Sequence, residues 1–284
     1  MRVSGLFVYP LKSARGMSLE VAGIDAGGLR SDRRWMVVDG AGHFVTARGS
    51  PSLATVSVGL DDPRAAVVTL TLSVPSASGF AHKVTVNASD DGPRVPVVIW
   101  GEHLTGVAPS PEADAALSDL LGVSVRLVAF PADQCRPCDP RYASREDHTA
   151  WADGFPVLVT TTASLAALSQ SLGLPIAMDR FRPNLVIDNG DDPARAFEED
   201  AWLRLGLGDS GLTLRCVKPC ARCVMVNVDP ATGKAGREPL RTLTGLRRAA
   251  GASSAINFGQ NAVLDVGAAD ALAVGDAVTV LQRR

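Results

Sequence analysis

Nothing in this chain of 284 residues is apolar for long enough to enter a bilayer. The run of about 18 apolar residues that a membrane span requires is missing, so no membrane partner is expected. A secretory leader is missing too: Arg2 leads straight into Val3-Ser4-Gly5-Leu6-Phe7-Val8-Tyr9-Pro10, too short and mixed for a signal peptide's apolar region. There is no basic surplus. The net charge of −2 argues against nucleic acid or an anionic membrane as a partner over a broad surface, while leaving room for a local basic pocket. Glycine-rich phosphate loops of the G-x-G-x-x-G or G-x-x-x-x-G-K type do not occur, which disfavours a nucleotide enzyme. Internal repeats and low-complexity tracts are absent as well. The five cysteines are an odd count that suits reduced thiols better than a disulfide framework, so a cytoplasmic protein is expected.

What is present is a chain with 46% hydrophobic and 20% charged residues, enough apolar material for a well-filled core. Its length fits one large domain or two smaller ones, at roughly 100–200 residues per domain. Residues 3–9 read as a strand that Pro10 ends, and Arg34–Asp39 as a second. Gly40-Ala41-Gly42 reads as a turn into a third strand, His43–Thr46. From 55 to 100, short Val- and Thr-rich runs broken by Asp61-Asp62-Pro63, Pro75–Gly79 and Asp90–Pro93 predict a β meander or barrel. One helix is predicted at Pro111–Leu121 with Gly122 as its C-cap, and another at Ala163–Leu172, ended by Gly173 and Pro175. Further strands are predicted at 123–130, 157–161, 184–188, 212–217, 223–228, 262–266 and 277–281.

The densest chemistry lies in Cys220-Ala221-Arg222-Cys223, preceded by Cys216 and Lys218. A thiolate is both a nucleophile and a soft metal ligand, and a neighbouring cation raises the thiolate fraction at neutral pH. Buried cysteines often pack as small hydrophobes and do nothing else. A cluster beside Arg222 fits that reading poorly, because arginine is seldom buried unpaired; an anion or a metal is expected close by. Basic residues also recur at predicted strand ends: Lys12 with Ser13, then Arg30, Arg33, Arg34, Arg48, Arg180, Arg182 and Arg222. Singly, each reads as solvated surface charge. Their placement beside Pro10, Gly16 and Pro183, where the backbone is constrained, points to one shared anionic ligand. Arginine supplies a planar fork for phosphate and lysine a point charge.

A rival reading starts from the two C-x-x-C pairs, Cys135/Cys138 and Cys220/Cys223, since four thiolates suit structural zinc. The 81 residues between the pairs far exceed the roughly 15–20 of a zinc ribbon. None of the four histidines lies near a cysteine pair, and a Cys–His protease lacks its local signature. The smaller motifs have plain structural readings. Trp35 and Trp202 read as core or seam aromatics, Asp229–Gly233 as a turn, and Gly259 as a place where the backbone meets something closely. Glu198-Glu199-Asp200 reads as a solvated acidic run, with docking of an electron donor as the alternative.

Several motifs follow one another in order. The first half holds Tyr9-Pro10-Leu11-Lys12-Ser13 with Gly16, Asp32-Arg33-Arg34-Trp35, Thr46-Ala47-Arg48 and Asp153-Gly154-Phe155-Pro156. The second holds Arg180–Asn184, Ala196–Asp200 with Trp202, Cys220–Cys223, Asp229–Gly233, Phe258-Gly259-Gln260 and Val274-Gly275-Asp276. In this order they resemble the MOSC molybdenum-cofactor family, in the branch that holds the amidoxime-reducing components. The resemblance implies a mainly β fold with some α (α+β), in which a MOSC β-barrel core packs with an N-terminal β-rich domain. The division implied is 1–125 and 126–284, with the first strand belonging to the MOSC core.

The same resemblance implies the molybdenum cofactor: Mo held by molybdopterin and by one protein thiolate, at the position of Cys223. Lys12, Ser13, Arg33, Arg182, Asn184, Ala221 and Arg222 match positions that hold the pterin and its phosphate, and Asp153 and Gly154 match further pterin contacts. Cys135 and Cys138 match no functional position, and neither a metal nor a role in turnover is expected of them. The activity implied is an oxidoreductase that reduces N-hydroxylated compounds (amidoximes, hydroxylamines, N-hydroxylated bases), with Cys223 as the catalytic metal ligand. With the motifs ending before Arg284, neither a ferredoxin-type domain nor a membrane anchor is expected, and electrons are expected from a separate donor protein. Two other classes stay open: a non-catalytic carrier of the cofactor or of sulfur, and a zinc-stabilised structural module.

Overall fold

The computed structural model of the protein describes residues 1–65, 68–76, 81–87, 92–190, 192–251, 255–265 and 269–284. Strands dominate, and the largest sheet has eight of them. Its order is Val278–Arg283, Trp202–Leu207, Leu212–Ala221, Asn257–Asp265, Val157–Thr161, Leu185–Asp188, Arg2–Val8 and Met17–Leu19. The first strand therefore sits far inside the C-terminal sheet, paired antiparallel with Leu185–Asp188. One neighbouring pair is parallel, Val157–Thr161 with Leu185–Asp188, and a parallel pair needs a crossover. The helix Thr162–Leu172 supplies it, started by the Thr161 side chain accepting from the Ser164 N–H and stopped by Gly173 in a left-handed conformation.

The expected barrel core is a sheet that curls without closing. An isolated bridge between Arg2 and Ala277 and the Val278 N–H donating to the Met1 carbonyl bring the first strand near the last. The two edge strands share no ladder among the described residues. Leu6, Val8, Val159, Leu185, Trp202, Leu205 and Leu214 of the sheet's strands share one buried core cluster.

A second unit builds on Trp35–Asp39, Val125–Ala129, Glu102–Val107 and Arg94–Ile99 in one sheet, and on Ser57–Leu60, Thr69–Val74 and His82–Asn87 in another. The helix Pro111–Leu121 covers the joint core with Ala113, Ala116 and Leu117. Ser110 caps its start, and left-handed Gly122 ends it as the sequence pattern indicates. The expected division at 125/126 falls inside the strand Val125–Ala129, which pairs residue for residue with Trp35–Asp39. The expected breaks at 77–79 and 90–91 and the strand end at Val266 lie outside the described residues.

Two expected strands are absent from the described residues. His43–Thr46 makes only single bridges, Phe44 to Val38 and His43 to Val98, because the chain leaves the sheet toward Ala47 and Leu53 in the core. Cys223–Val228 is a short 3-10 turn, Val224–Asn227. The preceding strand continues to Ala221, where its ladder with Asn257 stops. The β-branched run then folds over so that Val226 is buried while Val224 stays exposed. The helix Leu240–Ala249 was signalled only by leucines at 240, 243 and 246. Trp35 and Trp202 are core residues and Asp229–Gly233 is a turn, as read. Gly259 lies where a Cβ would come within 2.4 Å of the Val159 carbonyl, so its neighbour is another strand.

The acidic run is not solvated. Glu199 is fully buried, the Ser164 hydroxyl donates to its carboxylate at 2.8 Å and the Thr161 hydroxyl at 3.0 Å. Asp200 pairs with Arg247. Burial pushes the Glu199 carboxyl up to about 7, against the pull of those hydrogen bonds. Because the folded-state value is raised, the associated stability is complete below the unfolded value near 4.3 and is lost as pH rises through 7. The wild type is expected to lose about 2–3 kcal/mol between pH 5 and pH 8 from this group. Glu199→Gln should flatten that slope, read from urea midpoints at the two pH values. Equal slopes in both proteins would dismiss Glu199 as the source.

Candidate active site

A pocket of about 320 Å³ opens between the two units. Lys12, Ser13, Arg33, Thr46 and Arg48 line it from the first, and the segments 152–155, 181–184, 218–225 and Asn261 from the second. All ten residues matched to the cofactor site reach it: Lys12, Ser13, Arg33, Asp153, Gly154, Arg182, Asn184, Ala221, Arg222 and Cys223. Residues distant in sequence thus converge on one concavity, as the shared-ligand argument requires.

The convergence is organised around Tyr9. Its buried ring has the Arg33 guanidinium at 4.3 Å and that of Arg182 at 4.2 Å from the centroid. Its hydroxyl donates to the Pro183 carbonyl, and its backbone N–H donates to Asp32 at 2.9 Å. Gly16 lies against the ring, where a Cβ would come within 2.4 Å of it, which accounts for a glycine there. Arg33 donates to Asp32 at 2.5 Å, to the Asn184 side-chain oxygen at 3.0 Å and to the Arg182 carbonyl at 3.2 Å. Asn184 also accepts from the Leu158 N–H and donates to the Phe7 carbonyl, so it braces Arg33 against two strands of the large sheet. Arg182 donates to the Ala14 carbonyl at 2.5 Å. Ser13, Arg33 and Arg182 all adopt left-handed backbone, with φ of 71°, 47° and 53°. Non-glycine residues in this region are uncommon and gather at functional sites.

Six cations line the pocket (Lys12, Arg33, Arg48, Arg182, Lys218 and Arg222) against one carboxylate, Asp153. Lys12 is buried and donates to the Trp151 carbonyl at 2.8 Å and to Asp153. Burial pulls the Lys12 ammonium down, and the Asp153 charge offsets part of that. Burial also lowers Arg182 to about 10, helped by repulsion from Arg33, so it stays charged at neutral pH. Burial would raise Asp153, but the charge of Lys12 and its hydrogen bond outweigh that and hold the carboxyl well below the usual range. The Asp153 side chain is 64% exposed at the mouth, so solvent screens this pair. The surplus of positive charge in a confined space makes the pocket a receptor for an anion.

Cys223 presents an exposed thiol to this space. The Arg222 guanidinium, which the sequence places beside it, makes its sulfur contact elsewhere: it donates to the Cys220 Sγ at 2.8 Å and to the Phe181 carbonyl at 2.7 Å. The reason is geometric, since neighbours on an extended chain point to opposite sides while residues two apart share one. Arg222 Nε is buried with no partner among the described residues, an unspent donor at the wall of an anion pocket. Arg48, Lys218, Thr46 and Asn261 also line the pocket without having been matched to the cofactor site. Their sequence signals were the place of Arg48 among the basic residues at predicted strand ends, the Thr46-Ala47-Arg48 motif and the nearness of Lys218 to Cys220.

Cys135 and Cys138 behave differently from each other. Cys135 is exposed and Cys138 buried. Burial pushes the Cys138 thiol up to about 12, although the nearby Arg136 charge pulls the other way. Arg136 is spent on Glu102 and on the Ala150 and Ala152 carbonyls, and Arg141 on Asp139. A four-thiolate zinc site would have to ionise Cys138 against that burial.

The MOSC N-terminal β-barrel domain model matches residues 1–124 and the MOSC domain model residues 146–279. Mitochondrial amidoxime-reducing component 1 of Mus musculus is 34% identical over 255 residues, which cover 86% of this chain and 71% of that protein. The component 2 protein of Bos taurus is 33% identical, with 86% and 72% covered, and component 1 of Homo sapiens 34%, with 87% and 72%. The chain belongs to the MOSC family. Both MOSC units contribute to the pocket, and the first strand ties them together, because it lies in the C-terminal sheet while leading directly to Lys12 and Ser13. Among the described residues, no helix of this MOSC protein is long and apolar enough to cross a membrane.

Proposed function

We propose that this MOSC protein is a molybdenum-cofactor-dependent oxidoreductase that reduces N-hydroxylated compounds, fed by a separate donor protein in the cytoplasm. One observation carries the reading: an exposed thiol, Cys223, faces the same pocket as six cations. The donor set fits the cofactor, since a soft thiolate suits molybdenum, guanidinium and ammonium groups suit a phosphate, and the unspent Arg222 Nε awaits an acceptor. When bound, the cofactor supplies removal of oxygen from an N–O bond and the electrons for it.

The chain's own residues hold and shield. Cys223 would ligate the metal. Lys12, Ser13, Arg33, Arg182, Ala221 and Arg222 would surround the pterin and its phosphate, with Asn184 bracing Arg33. Asp153 and Gly154 close the side next to Lys12. Asp153 is a poor proton donor at neutral pH, because Lys12 holds it ionised. Protein from a cofactor-competent host should carry molybdenum and pterin near one per chain and reduce benzamidoxime with a viologen reductant. Cofactor without turnover would favour the carrier reading, and stoichiometric zinc without molybdenum the structural one.

A further inference from the structure

The six pocket cations divide into two groups. Lys12, Arg33, Arg182 and Arg222 each donate to protein acceptors. Arg48 and Lys218 have no hydrogen bond or ion pair among the described residues. Each is held instead against an exposed aromatic ring: Arg48 at 4.6 Å from the Trp100 centroid and Lys218 at 4.6 Å from that of Tyr142. Through space, Arg48 reaches Asp153 and Lys218 reaches Asp139. Asp153 is already engaged by Lys12, and Asp139 by Arg141. The rings leave the donor edges of both cations unspent toward the pocket.

Trp100 breaks three local rules at once. It occupies the first loop position of a two-residue hairpin, between Ile99 and Glu102, with φ of 53° followed by Gly101 at 82°. Such turns favour Asn or Gly at this position, and a bulky residue there is strained. It is 45% exposed, whereas Trp35, Trp151 and Trp202 are buried. Its ring is braced by Phe44 at 4.9 Å. The hairpin gains nothing from a strained, exposed tryptophan, so the ring's use lies in what it holds, which is Arg48.

Resting on the cofactor reading above, we propose that Arg48 on Trp100 and Lys218 on Tyr142 form an anion clamp for substrate, selecting N-hydroxylated compounds whose planar body carries a carboxylate or phosphate. The charge count supports a second anion. A cofactor phosphate offsets at most about two of the surplus charges. Arg33 and Arg182 lie on Tyr9 and Arg222 on Phe181, and Lys12, which lies against Phe44 beside Trp100, is engaged by Asp153, leaving Arg48 and Lys218 for another group.

The test compares 4-carboxybenzamidoxime with its neutral carboxamide counterpart. The wild type should bind the carboxylate more tightly, with KM lower by roughly fivefold to tenfold, as expected of charge-assisted hydrogen bonds. The preference should shrink as ionic strength rises. In Arg48→Gln and Lys218→Gln the ratio of the two KM values should move toward one. Trp100→Asn suits the turn and should fold at least as well as the parent, yet lose part of the ratio because Arg48 loses its ring. Binding is read separately from fluorescence quenching in the oxidised protein, since Trp100 alone among the four tryptophans is exposed. An unchanged KM ratio in both cation variants would overturn the clamp. So would loss of bound pterin with the ratio kept, which would assign these cations to the cofactor phosphate. If the wild type reduces neither compound, the N-reductase reading fails, and the quenching titration still judges the clamp by whether carboxylate outcompetes carboxamide.

Discussion

Cys223→Ser is expected to remove molybdenum-dependent N-reduction by roughly 100-fold or more, since even outer partners of a metal ligand are worth about 10–100-fold. Serine keeps the size of the side chain but offers a hard, weakly ionised oxygen to a metal that favours soft sulfur. The fold should not suffer, because Cys223 is exposed and the turn after it is closed by backbone bonds such as Val226 N–H to the Cys223 carbonyl. Cys220 is the internal control. Its Sγ accepts from Arg222 at 2.8 Å, and a serine oxygen is an acceptor too, so Cys220→Ser should keep a substantial fraction of activity and nearly full molybdenum. The measurement is metal content and amidoxime turnover on the same preparations. Equal loss of turnover in both variants, with molybdenum retained in each, would sink the assignment of Cys223 as the ligand.

Part of this site was legible because its chemistry sits in short motifs. Tyr9-Pro10-Leu11-Lys12-Ser13 and Arg180–Asn184 stand in opposite halves of the chain, and residues of both line one pocket. The geometry that does so was not legible. Ser13, Arg33 and Arg182 hold left-handed backbone without the glycine that would announce it, and the Tyr9 ring between two guanidinium groups follows from tertiary packing alone. Arg48 was named only among the recurring cations, and Lys218 only as a neighbour of the cysteines, because an unpaired cation at a pocket mouth has the same sequence signature as a solvated one. Glu199 failed in the opposite direction. Three acids in a row read as surface, yet the turn Glu198–Ala201 points the middle one inward to Ser164 and Thr161. The Cys223–Val228 run shows why β-branched content is a weak guide: strand propensity is a preference for a pleated, half-buried surface, and the ladder that would supply one ends at Ala221.

Asp32→Ala is expected to be the most destabilising single change near the pocket, by about 3–5 kcal/mol, the usual cost of breaking a buried ion pair from one side. At this chain length that corresponds to a fall in Tm of roughly 5–8 °C. The Asp32 side chain is 3% exposed and that of Arg33 13%. Burial pushes the Asp32 carboxyl up, while Arg33 and the Tyr9 N–H pull against it; Arg33 calls for its charge and the Tyr9 N–H for an acceptor oxygen. Its loss leaves the Tyr9 N–H without its acceptor and leaves Arg33 and Arg182 facing one ring with less opposing charge. Asp32→Asn separates the two contributions, because its amide oxygen still accepts from Tyr9 but carries no charge. If charge is the larger part, Asn should recover little of the lost stability, and inorganic phosphate should raise the Tm of both variants more than that of the wild type by filling the same basic pocket. Full recovery in Asp32→Asn, or no added benefit from phosphate, would show that Asp32 serves the backbone of Tyr9 and not the electrostatic balance of the site.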